Sequence, residues 1–425
     1  MTVGVRHDDL RKRNRAMVIA AVRRSGQPSR TEIAAVTGLS HSTISTICAD
    51  LIGEGILAEV GAEARSAESA GQKRGRPQVA IGLNQDAAMV VAVVLSLNSL
   101  SASLIDYAGR PVAHDISRPP TLTMAAGDLI DAVTAAVRRL LQRPELAGRR
   151  VLRMTLAVQG ITDSEARRLM WSPITPHSDL PFADALEEAL AIPVTVENDC
   201  NMIAVALRAR SPERYRDNFI TILLSNGIGM GLVLRGELFT GSHSSGGEFG
   251  HMNHIPDGAL CRCGRRGCIE AYAGNYAILR HAGGESELTQ PAADIDDATM
   301  LSMAAAARSR PGPEREAFER AGEAIGFGLG SLFALIDPAP VAIVGLGTSA
   351  FDVIEPALRD AIDRTAGGQH SATVSFDLEP DEMPLIREGS ARRALTFVDY
   401  EIFAAGPAAQ AARSPQPLPQ ASLIA

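Results

Sequence analysis

The sequence predicts an α/β protein in two parts: a small helical head closed by two strands, and a larger body of two α/β lobes. Three observations predict it. Over residues 1–83, apolar residues recur at helical spacing between capping residues and glycine breaks, and the stretch ends in two short apolar runs. From Asn84 the pattern turns to strands alternating with helices, as layered α/β architectures require. A cysteine- and glycine-rich stretch from Gly246 to Glu270 then interrupts the second lobe and organises the chain around a built site. The expected boundaries are a head over 1–83, a body over 84–405 with lobes of about 84–200 and 201–405, and a disordered Ala/Pro/Gln-rich tail over 406–425.

Composition bounds the possibilities. At 425 residues, 46% apolar and 21% charged, the chain has the size of two or three globular domains. Its longest apolar run, Ala87 to Leu97, is about half of a membrane span, so no membrane partner is expected. The basic N-terminus lacks a signal-peptide core, since Met17 to Val22 is too short. A cytoplasmic protein follows, and there cysteines read as metal ligands and free thiols rather than disulfides. Cys48 and Cys200 stand apart and read as buried thiols. The net charge of −8 is unevenly spread: residues 1–83 hold 12 Lys+Arg against 8 Asp+Glu, the remainder 29 against 41. A basic head on an acidic body predicts that only the head meets nucleic acid.

In the head, Asp8 or Asp9 caps a first helix running to about Ser25, with Met17, Val18, Ala21 and Val22 inward, and Gly26-Gln27-Pro28 breaks it. Ser29-Arg30-Thr31-Glu32 has capping-box form, and the second helix stops at Gly38. Ser40 caps a third helix whose Ile44, Ile47, Leu51 and Ile52 fall on one face. Two short helices joined by a glycine turn make a helix-turn-helix. Its DNA-facing residues are expected to be Ser40, His41, Ser42, Thr43, Ser45 and Thr46. Strands at Ile56 to Val60 and Val79 to Leu83 complete a winged helix-turn-helix, with Lys73, Arg74 and Arg76 at the tip of the wing. An Arg-Gly-Arg-Pro segment is thin enough to enter a minor groove, where negative potential favours arginine.

In the first lobe, strands are expected at Met89 to Leu97, Ala102 to Tyr107 and Val112 to Ile116, with a turn at Gly109-Arg110-Pro111. A helix from Ala125 to Leu141 and strands Val151 to Val158 and Ile192 to Val196 follow, and Glu197 to Asn201 begins a helix. The second lobe opens with strand Phe219 to Leu224 and the glycine-rich Ser225 to Gly231, a kind of loop that can cradle phosphates through backbone amides. Strand Leu232 to Leu234 turns at Arg235-Gly236-Glu237. Helices are expected over Ile269 to His281, Met300 to Ser309 and Glu314 to Ile336, and Asp337-Pro338 stops the last before strand Val341 to Val344.

Three of the five cysteines, Cys261, Cys263 and Cys268, lie within eight residues, with glycines between them. Thiolates closed by one imidazole suit tetrahedral Zn²⁺. Spacing leaves the fourth ligand open among His243, His251 and His254. The stretch Gly246-Gly247-Glu248-Phe249-Gly250-His251 followed by Cys261-Arg262-Cys263-Gly264-Arg265-Arg266-Gly267-Cys268-Ile269-Glu270 resembles the signature of the ROK family (repressors, open reading frames, kinases). That resemblance covers roughly residues 10–400. It implies a two-lobed, actin-like sugar-kinase fold and a structural zinc on His251, Cys261, Cys263 and Cys268. It assigns sugar contacts to Glu248, His251 and Glu270, and, through Glu197-Asn198-Asp199-Cys200-Asn201, to Asn198 and Asp199, the latter a general base in the family's kinases. Gly160 is assigned to the same site. The head resembles that of ROK repressors, including their Gly-Arg-Pro after the wing.

The departures from the family pattern point away from catalysis. A kinase of this fold needs an Asp-x-Gly-Gly-Thr loop after its first strand to handle Mg²⁺ and the phosphoryl group. Here Ser96-Leu97-Asn98-Ser99-Leu100 stands instead, and Leu100 is expected to face the phosphates. Ser225-Asn226 and Met230 replace family residues in the second loop, and Leu346 interrupts Gly345-Leu346-Gly347 near the adenosine site. On the sugar side only one contact is lost, with Ile174 where an Asn is usual. The resemblance therefore implies a sugar-responsive transcriptional regulator, a repressor of carbohydrate metabolism. It would bind operator DNA as a homodimer or tetramer, with a sugar or sugar phosphate in a catalytically silent domain. The runner-up is a ROK sugar kinase with a fused DNA-binding head.

Overall fold

The computed structural model describes residues 7–60, 79–146, 148–292 and 294–407. The head packs α1 (His7–Ser25), α2 (Arg30–Thr37) and α3 (His41–Gly53) against an antiparallel pair, β1 (Leu57–Val60) and β2 (Ala80–Leu83). Asp8 and Asp9, expected as caps, lie inside the first turn of α1, where their charge faces the helix N-terminus; the local chemistry of α2 and α3 is as expected from sequence. Ser29 and Glu32 form a reciprocal capping box, Gly38 ends α2 in the left-handed region at φ 70°, and the Ser40 hydroxyl accepts from the Thr43 amide. Ile19 and Val22 of α1 meet Ile33, Ile44 and Leu51 in one core. The wing tip with Lys73, Arg74 and Arg76, and the tail from residue 408 on, lie outside the described residues.

The first lobe comprises β3 (Met89–Ser96), β4 (Ser99–Asp106), β5 (Pro111–Ser117), α4 (Ala126–Leu141), β6 (Val151–Val158), the small hairpin β7 (Ile161–Thr162) and β8 (Leu169–Trp171), α5 (Phe182–Leu190), β9 (Val194–Asn198) and α6 (Asp199–Arg210). The second comprises β10 (Phe219–Leu224), β11 (Ile228–Leu234), β12 (Glu237–Leu238), α7 (Glu270–Ala273), α8 (Asn275–Ala282), α9 (Asp297–Ser309), α10 (Pro313–Ile336), β13 (Val341–Val344), α11 (Phe351–Asp363), β14 (Phe376–Glu379) and α12 (Glu382–Phe397). Their sheets run β5-β4-β3-β6-β9 and β12-β11-β10-β13-β14. In each, two antiparallel hairpins precede two parallel crossover strands. One topology is thus used twice, an actin-like duplication that leaves no repeat in the sequence.

Several expectations need correction. Leu100 is 1% exposed in the first lobe's core; the tight turn at Leu97-Asn98, with Asn98 at φ 51°, starts β4 so that Leu100 points inward and Leu97 meets the cleft. The glycine-rich stretch is mostly strand β11. A Cβ on Gly229 would stand 2.3 Å from Cys200 Sγ, and one on Gly231 2.5 Å from the Cys200 carbonyl. Those glycines let α6 lie close across β11, while Ser225, Asn226 and Gly227 stay outside the strand. The helix expected over Ile269 to His281 is broken at Gly274 into α7 and α8.

α12 leaves the second lobe and packs on α6 and across β3 and β6 of the first. Its continuation, a π-helical turn over Val398–Phe403, carries the head. Ala394, Val398, Ile402 and Phe403 share a core with α1 and with Tyr107 of the first lobe. Ion pairs rivet this joint. Asp399 takes Arg23 at 2.7 and 2.9 Å and the Tyr107 hydroxyl at 2.6 Å, while Arg15 bonds Glu54 and the Phe403 carbonyl.

Candidate functional site

All six residues assigned to sugar contacts, Gly160, Asn198, Asp199, Glu248, His251 and Glu270, line one cleft between the lobes, enclosing about 640 Å³ open to solvent. Asn198 ends β9 and caps α6: its Oδ1 accepts from the Asn201 amide at 3.0 Å and its Nδ2 donates to the Gly160 carbonyl at 2.9 Å. Gly160 sits at φ 134°, and a Cβ there would stand 2.3 Å from the Trp171 carbonyl. Asp199, 5% exposed, accepts from the Cys200 amide at 2.9 Å. Burial pushes its carboxyl up to about 7, against that amide, and Glu248 adds to the rise. Burial likewise raises Glu248.

Glu270 is held from both sides. Its Oε2 accepts from the Ile228 amide at 3.1 Å, and its Oε1 lies 3.3 Å from the Tyr276 hydroxyl and 3.6 Å from Cys261 Sγ. The last contact ties the cleft to the cysteine cluster. His251, Cys261, Cys263 and Cys268 bring their ligand atoms within 4.8 Å of one another. Cys263 and Cys268 sulfurs are 3.8 Å apart, and Cys261 Sγ is 3.7 Å from His251 Nδ1. A tetrahedral centre with bonds of about 2.3 Å separates its donors by roughly 3.8 Å, so this group fits a metal ion. The other candidates fall away: His243 is exposed, and His254 stacks against Tyr272 and Phe327. Shared hydrogen bonds hold the Cys263 thiol well below the usual range and push Cys261 above it, a crowding that a bound cation relieves by replacing protons. His251 thus gives Nδ1 to the cluster, while its Nε2 lies 4.0 Å from Glu248 in the cleft.

Sequence reasoning missed three lining residues, Gln159, Trp171 and Ser244. Trp171, the only tryptophan, stands edge-on to His251 with ring centroids 5.6 Å apart. Its uniqueness was the available signal. Ile174 is buried in the first lobe's core, 1% exposed, and makes no polar contact with its side chain.

Beyond Asp199 and Gln159 the cleft continues into a second cavity, lined by Ser96 and Leu97 of the first lobe and Ser225, Asn226 and Gly227 of the second. Leu97, Leu223, Met383 and Ile386 fill its walls, and the Glu382 carboxylate faces it 3.4 Å from Ser225 Oγ, raised by burial. In the head, His41, Ser42, Ser45 and Thr46 are exposed along one face of α3 and Thr43 is half-buried. Ser40 Oγ lies 2.9 Å from Ser42 Oγ and 2.8 Å from Thr43 Oγ1, so the cap hydroxyls form a local cluster at the helix start.

Comparison with known proteins bears on this arrangement. The ROK family model matches residues 98–382. The xylose repressor of Bacillus subtilis is 27% identical over 275 residues, 64% of this chain and 68% of the repressor. The DNA-binding transcriptional dual regulator NagC of Escherichia coli is 24% identical over 365 residues, 84% of this chain and 86% of NagC. A ROK family transcriptional regulator described as a homologue of the E. coli Mlc protein superposes with a TM-score of 0.76 at 20% identity, covering 93% of this chain and 99% of that one. The ROK hexokinase of Thermus thermophilus superposes with a TM-score of 0.57 at 26% identity, covering 73% of this chain and 99% of the hexokinase. No helix among the described residues is long and apolar enough to cross a membrane. The chain belongs to the ROK family, and from head to second lobe it has the architecture of that family's transcriptional regulators.

Proposed function

We propose that this protein is a sugar-responsive transcriptional regulator, a cytoplasmic repressor of carbohydrate-metabolism genes. It binds operator DNA through its head as a homodimer or tetramer, and a sugar in a cleft that no longer transfers phosphoryl groups. One observation carries the reading: a single cleft gathers Asn198, Asp199, Glu248, His251 and Glu270 at one end, while Leu97 and Glu382 line the other. Carboxylates and an amide satisfy several hydroxyls at once, and specificity comes from leaving none unpaired. The names of the relatives, a xylose repressor and the DNA-binding transcriptional dual regulator NagC, support it.

Three thiolates and an imidazole favour zinc as the ion. When bound, zinc supplies structure only. His251, held through Nδ1, then keeps its Nε2 available to a hydroxyl. One zinc per chain is expected on metal analysis, and Cys263→Ser should lose the metal and the sugar response together. A metal-free protein with a normal sugar response sinks that assignment.

The test of the whole reading is binding of the purified protein to an operator fragment selected from random DNA, with and without a sugar panel. One sugar should change operator affinity by at least tenfold, with no ADP formed from ATP. Sugar phosphorylation that disappears in Asp199→Asn would establish the kinase instead.

A further inference from the structure

We propose that the effector is a sugar bearing no phosphate or other anionic group; this rests on the reading of the interlobe cleft as the sugar site. Asp199 lines both the sugar end and the second cavity. A phosphate on the hydroxyl nearest Asp199 therefore lies next to that second cavity.

The cavity is built against anions. Among the described residues, no lysine or arginine lines either part of the cleft. Asp199 and Glu382 both face the second part. At its outer edge a third carboxylate, Asp294, joins the turns that close the cavity from the two lobes: Asn98 Nδ2 donates to its Oδ2 and Asn226 Nδ2 to its Oδ1, each at 3.2 Å. Each of those two amides thus gives one of its N–H groups to a carboxylate. Arg262 lies behind the second turn, but its guanidinium donates to the carbonyls of Asn226 and Ala292, 3.2 and 2.9 Å away, and covers the Tyr276 ring.

A sugar phosphate brings close to two negative charges into this enclosure. Like charges in a partly desolvated site repel far more than in water, and no lysine or arginine among the lining residues offsets them. Neutral hydroxyls meet the opposite situation, because the carboxylates of the sugar end, Asp199, Glu248 and Glu270, accept from them. The cleft discriminates by repulsion as much as by attraction.

Trp171, the only tryptophan, lines the sugar end, so its emission reports occupancy. Full-length protein is titrated with xylose, glucose and N-acetylglucosamine, and with the 6-phosphates of the two hexoses, with and without Mg²⁺, and thermal shifts are read in parallel. At least one neutral sugar should saturate, and a 6-phosphate should bind at least tenfold more weakly than its parent in both conditions. Glu382→Lys should shrink that gap to under threefold, and Glu382→Gln, which keeps the side chain's shape, should shrink it partway. Both should leave the neutral sugar's affinity within about twofold. A 6-phosphate that binds as tightly as its parent overturns the proposal while the sugar-site reading stands. A gap unmoved by both Glu382 changes overturns it by removing its electrostatic cause. No response to any of these sugars or phosphates overturns the sugar-site reading, and the proposal with it.

Discussion

Asp199 concentrates the chemistry of the cleft and also its energetic cost. Its carboxyl is raised to about 7 in the folded protein by burial, from an ordinary value of 3.8. Below pH 4 it is protonated in both folded and unfolded chains and has no effect on stability. As pH rises from about 4 to 7, the unfolded chain ionises first, so folding is progressively destabilised, and the penalty is constant above that range. Asp199→Asn keeps the acceptor for the Cys200 amide and removes the charge. The variant should be more stable than wild type at pH 8, by on the order of 3 kcal/mol, with the difference vanishing near pH 4. Its sugar affinity should fall by about 10- to 100-fold, because a charged acceptor makes a hydrogen bond worth roughly 1.5–3 kcal/mol. Melting curves across pH together with Trp171 titrations check both halves. A variant less stable than wild type at pH 8 would contradict the burial argument.

At the scale of elements, the contact of α6 with β11 explains a glycine-rich stretch without any phosphate. Gly229→Ala would press a methyl against Cys200 Sγ, which is 2.3 Å from where that Cβ must stand. It should cost about 1–3 kcal/mol, as overpacked cores do. Pairing it with Cys200→Ala should recover much of the loss, which a denaturation series on the two single variants and the double variant measures. In the head, α3 offers His41 at its exposed N-terminal end. His41→Ala should change which bases are preferred, while Arg76→Ala, in the basic stretch between β1 and β2 in sequence, should weaken binding uniformly and reduce its salt dependence by about one ion. Selection from random DNA followed by salt titration separates the two effects.

Over the whole molecule, the path from cleft to head runs through α12. Glu197, one residue before Asn198, pairs with Arg393 of α12 at 2.6 Å, and the turn that follows α12 holds Arg23 of α1 through Asp399. A closure of the lobes that moves β9 therefore moves the surface on which the head is seated. Asp399 is 7% exposed, and removing its charge leaves Arg23 without its counter-ion. Asp399→Asn should lower stability by about 3 kcal/mol. Sugar affinity should stay near wild type while the effect of sugar on operator affinity shrinks. If coupling persists in full, the head is governed by another contact.

What the sequence determined by itself is whatever local chemistry fixes. Ser29 with Glu32, Gly38 and Ser40 set the head's helices because capping is settled within four residues. The β-branched run of β3 and β6 set strands. The four ligands from His251 to Cys268 lie so close in sequence that a loop alone can gather them. Tertiary structure decided the rest. Asn198, Glu248 and Glu270 become one cleft only when two lobes close on each other. The topology is duplicated although the sequence is not, because strand order depends on which backbone edges pair and not on residue identity. Leu100 turned inward because β4's register, fixed by its partner strands, set its face. α12 escaped the periodicity reading because it is buried between α6 and a sheet, and a helix covered on more than one side shows no single apolar stripe.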